Sequence, residues 1–173
     1  MSVELKTERL ILRPFAEADL EAFAAINADP EVMRYIGDGK PRDREATREG
    51  IVKSRRAWDE QGWGTFAVVE TDTSDLVGFA ALAVPNFLPE ILPVVEVGWR
   101  IARDRWGKGY APEAARAAIG FAFNDIGMTR LVSCIHRDNT ASIRVAEKLG
   151  MTLERETTVP EVNVPCKVYE LNR

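Results

Sequence analysis

The sequence predicts a mixed α/β fold, α+β-like in its strand pairing: a central, mostly antiparallel twisted sheet of six to seven strands with about four helices. Three observations predict it. Strand-like and helix-like hydropathy periods follow one another in the order β, α, α, β, β, β, α, β, α, β, β. The helical stretch Pro112 to Ile126 joins two apolar strands, and a crossover of that kind is right-handed and leaves its strands parallel. Elsewhere short turns such as Thr71-Asp72-Thr73-Ser74-Asp75 separate strand patterns, which makes those pairs antiparallel hairpins.

Taken in order, Val3 to Phe15 carries Leu10, Ile11 and Leu12 and reads as one strand ended by Pro14. Glu17 to Ala28 places Leu20, Phe23, Ala24 and Ile26 at helical spacing, and Asp29-Pro30 breaks it. Glu31 to Ile36 is a short helical turn, and Gly37 to Pro41 a flexible connection. A helix runs from Asp43 to Gln61 with Ile51, Val52 and Trp58 on one face, closed by Gly62 and Gly64. Thr65 to Glu70 and Leu76 to Val84 form a hairpin, Pro85 to Glu90 a loop, and Val94 to Ala102 a strand feeding a glycine-rich turn. The Pro112 to Ile126 helix stops at Gly127, and Arg130 to Ile135 is a buried apolar strand. Asp138 or Asn139 caps a helix to Leu149, which Gly150 terminates. Met151 to Val159 and Val164 to Leu171 are the last strands.

At 173 residues the chain reads as one domain, 1–173, large enough to bury a core. Apolar residues make up 46% and charged residues 29%, the balance of a globular protein. The net charge of −4 and the absence of a basic run argue against a general nucleic-acid binder and suit amine-bearing partners. Cys134 and Cys166 lie in strand patterns and read as reduced thiols. No Cys/His cluster has ligand spacing, so no metal is expected. With no leader pattern and no bilayer-spanning apolar run, the expected location is cytoplasmic, away from membranes.

The stretch Arg103 to Glu113 organises the chain. Strand, glycine-rich turn and helix start aim backbone N–H groups at one place and suit a phosphate or pyrophosphate. Gly107 and Gly109 can take positive φ and admit a ligand close to the backbone. Pro112 and Glu113 suit the first helical turn, and Arg103, Arg105 and Lys108 add positive charge. The spacing is neither a Walker loop nor a dinucleotide G-x-G-x-x-G, and an ordinary strand-to-helix turn would read the same way.

Trp106-Gly107-Lys108-Gly109-Tyr110-Ala111 resembles the acyl-CoA pyrophosphate loop of the GNAT acetyltransferase superfamily, Q/R-x-x-G-x-G/A. Gly109 and Ala111 match, while Trp106 stands where Gln or Arg is usual. Asn139-Thr140-Ala141-Ser142 through Glu147-Lys148-Leu149-Gly150-Met151 is similar to that superfamily's N-x-x-S-x-x-x-x-E-K-L-G-F. Thr7-Glu8-Arg9-Leu10 to Pro14, with Asp19 beyond, resembles the opening of the branch containing the ribosomal-protein N-terminal-alanine acetyltransferases. The resemblance implies an acyl-CoA N-acyltransferase domain that uses acetyl-CoA.

It also implies roles. Arg100, Ile101 and Ala102 would pair with the pantetheine arm through their backbone, and Gly107, Lys108, Gly109, Tyr110 and Ala111 would take the pyrophosphate. Asn139 would contact the pantetheine or acetyl end. Ser142 would serve the leaving thiolate, because the Tyr common seven residues after the Asn is here Ala146. The base is read from the residues themselves. Glu96 lies between Val95 and Val97, and a carboxylate in an apolar strand is unusual unless it faces a cleft. His136, the sole histidine, ranks second, and Cys134 occupies a position where part of the superfamily has Glu. The expected activity is acetyl transfer to a primary amine, either a protein N-terminus or a small molecule, directly within a ternary complex. The alternatives are a non-catalytic CoA-binding sensor or interaction module on the same fold, and an unrelated nucleotide-binding domain. Val164 to Leu171 is the strand expected to pair or exchange in a homodimer.

Overall fold

Eight strands form one sheet in the computed structural model among the described residues, 3–173; they lie in chain order except that the eighth sits between the sixth and the seventh. Met1 and Ser2, counted in the expected domain, lie outside them. The strand count exceeds the expected six to seven because the stretch read as one strand is two. β1 (Leu5–Lys6) and β2 (Leu10–Pro14) form a hairpin. Thr7 makes the turn: its N–H donates to the Leu10 carbonyl at 2.9 Å, and its hydroxyl accepts from the Leu10 N–H at 3.0 Å. That side-chain bond offers the backbone an alternative to the ladder, which hydropathy does not register.

The middle follows the predicted order. α1 (Leu20–Ala28), the one-turn α2 (Pro30–Met33) and α3 (Arg44–Gln61) precede the hairpin of β3 (Thr65–Glu70) and β4 (Leu76–Ala83). β5 (Val95–Ile101) leads through the glycine turn to α4 (Tyr110–Gly120), which continues as a wider π turn over Phe121–Asp125. β6 (Arg130–His136), α5 (Thr140–Lys148), β7 (Thr152–Val159) and β8 (Val164–Asn172) complete the chain. Five α-helices are described where about four were expected. Period-2 alternation in β3 shows how the layers divide. Ala67 faces a cluster with Phe23 and Ile26 of α1 and Ile51 of α3. Phe66 and Val68 face the larger core with Ala114, Ala115 and Ala118 of α4. Those small residues let α4 lie close against the sheet.

β5 and β6 are parallel, as the crossover required, but their pairing covers only Val95↔Leu131 and Glu96↔Val132. β5 runs on along β4 from Ala83↔Glu96 to Gly78↔Ile101, while β6 runs on along β8 from Arg130↔Asn172 to His136↔Cys166. Each strand is thus committed to its outer neighbour, and the two diverge beyond Glu96. Gly78 is what brings β4 against β5: a Cβ there would sit 1.9 Å from the Arg100 carbonyl oxygen.

The expectation for Val164 to Leu171 is corrected. β8 lies inside the sheet, with β6 on one side and β7 on the other, so the edge at this end of the sheet is β7. Exchange of β8 would break two ladders. Among the described residues no helix is long and apolar enough to cross a membrane.

Candidate active site

The divergence of β5 and β6 opens a cleft of about 470 Å³. Glu96 and Arg100 reach it from β5, His136 from the end of β6, and Asn139 and Ser142 from the start of α5. Four expected residues from two separate stretches of sequence therefore share one cavity: Glu96 and Arg100 from β5, Asn139 and Ser142 from the start of α5.

Glu96 has no cationic partner among the described residues. Its carboxylate accepts one hydrogen bond, from the Cys134 N–H at 3.1 Å. Burial pushes its pKa up to about 7, and that single backbone bond offsets only part of the rise. The cross-sheet Arg pair that would have made it a structural carboxylate is not present among the described residues. His136 is differently placed. Its Nδ1 accepts the Asp138 N–H at 3.0 Å, so the neutral ring carries its proton on Nε2 and offers no free lone pair to the cleft. Its ring packs on Tyr35, with centroids 4.9 Å apart.

Asn139 is the cap of α5: its Oδ1 accepts the Ser142 N–H at 3.2 Å. The Ser142 hydroxyl makes no hydrogen bond to a backbone or side-chain group among the described residues, although it lines the cleft. A hydroxyl acting as a first-turn cap would be so engaged.

Downstream of the cleft, Gly107 and Gly109 adopt φ of 75° and 81°, and α4 starts at Tyr110 rather than Pro112. Among the described residues, none of the N–H groups of Gly107, Lys108, Gly109, Tyr110 and Ala111 donates to a backbone carbonyl. A Cβ at Gly107 would meet nothing within 4 Å, so the turn is open on that side. Consecutive free donors at the start of an 11-residue helix are an anion cradle. The Tyr110 side chain turns away from the loop's open side: its ring is buried in the core and its hydroxyl donates to Glu70.

Other expectations change. Arg105 is not free for a ligand, because Glu70, Asp75 and Asp104 surround it at 3.6, 3.2 and 2.6 Å. The Ala102 N–H already donates to the Val77 carbonyl at 2.8 Å, so β5 leaves its free backbone edge upstream of Ala102. Ile101 packs its side chain into the core, and its carbonyl accepts the Trp106 indole N–H at 2.8 Å. Trp106 thus ties the loop to the strand end. Of the large side chains Met33, Tyr35, Trp58 and Trp63 around the first helices, Tyr35 lines the cleft. Met33 is buried, and Trp58 and Trp63 pack against the core.

Sequence reading missed Arg9. Its guanidinium holds Glu113 at 2.6 Å and the Lys108 carbonyl at 2.7 Å, while Thr7 donates to Glu113 at 2.6 Å. Burial works to raise the Glu113 carboxyl, but the bonds from Thr7 and Arg9 outweigh it and hold it below its usual range. The N-terminal hairpin therefore props the glycine loop from behind. The only signal was the Thr7-Glu8-Arg9 motif, which carried no geometry.

A family model, acetyltransferase (GNAT) domain, matches residues 9–152. The chain belongs to the GNAT acetyltransferase family. It is 36% identical over 170 residues to the Bacillus subtilis protein YkkB, covering 96% of this chain and 94% of that one. The structure of an acetyltransferase from Agrobacterium tumefaciens is similar, with 30% identity, 99% and 95% of the two chains covered and a TM-score of 0.83. RimL, a ribosomal L7/L12 alpha-N-protein acetyltransferase solved in complex with coenzyme A, shares the fold at 14% identity, with 98% of each chain covered and a TM-score of 0.81.

Proposed function

We propose that this GNAT domain is an N-acetyltransferase that moves an acetyl group from acetyl-CoA to a primary amine by direct transfer in a ternary complex. The observation that carries the reading is the cleft between β5 and β6, where an unpaired carboxylate with pKa about 7 shares one cavity with Asn139 and an unengaged Ser142 hydroxyl. Acetyl-CoA supplies the activated acyl group. The free N–H groups from Gly107 to Ala111 receive the pyrophosphate. The β5 edge from Glu96 to Ile101, about 16 Å of strand, lies between that end and the reacting end.

Glu96 accepts the amine's proton through a water, since a base near pH 7 is half ionised where an amine must be kept neutral. Ser142 donates a hydrogen bond to the departing sulfur, and the α5 N-terminus favours negative charge there. No covalent acyl-enzyme is needed, because holding both reactants in line supplies much of the rate. A non-catalytic CoA-binding module would have no use for a carboxylate kept without a counter-ion in the cleft.

The test is calorimetric titration with acetyl-CoA, followed by thiol release on a panel of primary amines and N-terminal peptides. Binding with turnover on any amine supports the transferase. Binding without turnover across the panel favours the sensor. Absence of binding overturns the assignment of the Gly107 to Ala111 loop.

A further inference from the structure

Arg100 is a buried cation without a counter-ion. It is 8% exposed, yet no carboxylate among the described residues lies within ion-pair distance of it. Its one hydrogen bond is from Nη1 to the neutral Asn27 Oδ1 at 2.6 Å, and its Nε is buried with no partner. The guanidinium lies 4.8 Å from the centre of the Phe79 ring. Burial first, and then the like charge of Arg42, pull its pKa down to about 9, which leaves it charged at neutral pH. Buried charges are otherwise paired, because burial strips an ion of its hydration.

The surroundings of Arg100 are built. Asn27, itself buried, accepts from Arg100, donates from Nδ2 to Thr47 at 3.1 Å, and uses its carbonyl to hold the Arg42 N–H at 2.9 Å. One residue of α1 therefore positions both arginines, and both line the cleft. Along β5, Glu96, Gly98 and Arg100 share one face by strand alternation. A Cβ at Gly98 would meet nothing within 4 Å, so the floor between the acid and the arginine is bare. From Glu96 to Arg100 the strand advances about 13 Å. The acidic groups facing this cleft are Glu96 and Glu161, the latter from the β7–β8 turn.

We propose that Arg100, supported by Arg42, is the anion-recognising end of the acceptor site, and that the acceptor is a primary amine that also bears a carboxylate, lying over Gly98 with its amine toward Glu96. This rests on the transferase reading above. A guanidinium fork matches a carboxylate in two parallel hydrogen bonds, and the unpartnered Nε is one of the donors such a pair uses.

The experiment compares amino acids of increasing amine-to-carboxylate spacing with their amides, with the corresponding simple amines and with phosphoethanolamine, all at saturating acetyl-CoA. The free acids are expected to have kcat/KM at least tenfold above their amides, carried mainly by KM. Arg42→Gln is expected to narrow that ratio, and Arg100→Gln to remove it. Because Arg100 is buried, its variant is checked for an unchanged melting profile, and Gly98→Val provides a second probe that closes the floor while acetyl-CoA still binds. A second readout is the Arg100 Nε–H resonance in the acetyl-CoA-saturated protein, which free amino acids should shift and amides should not. Equal turnover of acids and amides with an unmoved resonance would overturn the proposal, as would preference for phosphoethanolamine. If no amine is turned over, the transferase reading fails, and the resonance still decides whether Arg100 binds a carboxylate.

Discussion

A carboxylate buried in an apolar strand with only one backbone donor titrates late, and Glu96 is such a group. In the proposed role deprotonation creates the base, so kcat/KM is expected to rise with pH through about 7 and then level. Glu96→Gln should lower kcat by about 10²- to 10⁴-fold and flatten that limb. Stability moves the opposite way. The folded pKa, about 7, lies above the ordinary value of 4.5. Proton binding by Glu96 therefore favours the folded state fully below about 4.5, and this contribution is lost as pH rises through about 7. At pH 8 the wild type should accordingly melt below Glu96→Gln, whereas at pH 4.5 the gap should close; the shift corresponds to about 3 kcal/mol at most. Ser142→Ala should cost roughly ten- to a hundredfold in kcat with little change in acetyl-CoA affinity, because in the proposed role its hydroxyl acts late, and it holds no backbone group. If affinity falls instead, Ser142 has a packing role. Of these features the position of Glu96 was legible, since Val95 and Val97 flank it. The lack of a counter-ion was not, because a partner can come from any strand.

The loop between β5 and α4 is an element whose shape depends on a distant one. Glycines at 107 and 109 make the turn possible, but Arg9 and Thr7 of the β1–β2 hairpin hold it through Lys108 and Glu113. Arg9→Ala should raise the acetyl-CoA Kd about tenfold while the melting temperature changes little, since the pair is partly exposed. Calorimetry beside a thermal melt separates the two effects. β4 carries a different constraint. Gly78→Ala would press a methyl group onto the Arg100 carbonyl, a backbone atom that cannot swing aside. Its expected cost is about 3 kcal/mol or more in denaturant unfolding, together with weaker acetyl-CoA binding because β5 would shift. The glycine loop was visible in the sequence as a strand-turn-helix signal. Its support was not, because Thr7 and Arg9 sit in a short turn that hydropathy merges into one strand.

At the scale of the molecule the cleft exists because two halves of one sheet are each tied outward. β5 follows β4, β6 follows β8, and their shared ladder ends at Glu96↔Val132. A ligand that bridges this gap and the loop should stabilise the whole fold. Acetyl-CoA at a hundred times its Kd contributes about 2.7 kcal/mol, which for a chain of this length raises the melting temperature by roughly 5–10 °C. A rise confined to acetyl-CoA and CoA, absent with adenine nucleotides alone, would locate the interaction along β5 as well as at the loop.

By itself the sequence determined the order and type of the elements from α1 onward, the parallel β5–β6 pair, the glycine-rich strand-to-helix turn and the suspicion attached to Glu96. All of these follow from periodicity, glycine placement and chain-local chemistry. Only the tertiary structure decided how far β5 and β6 stay paired, that β8 is interior, that Arg105 is spent on three carboxylates, and that Arg100 is buried beside Asn27 and Arg42 with no counter-ion. Those depend on which residues distant in the chain are brought together, and side-chain type does not encode its eventual neighbours.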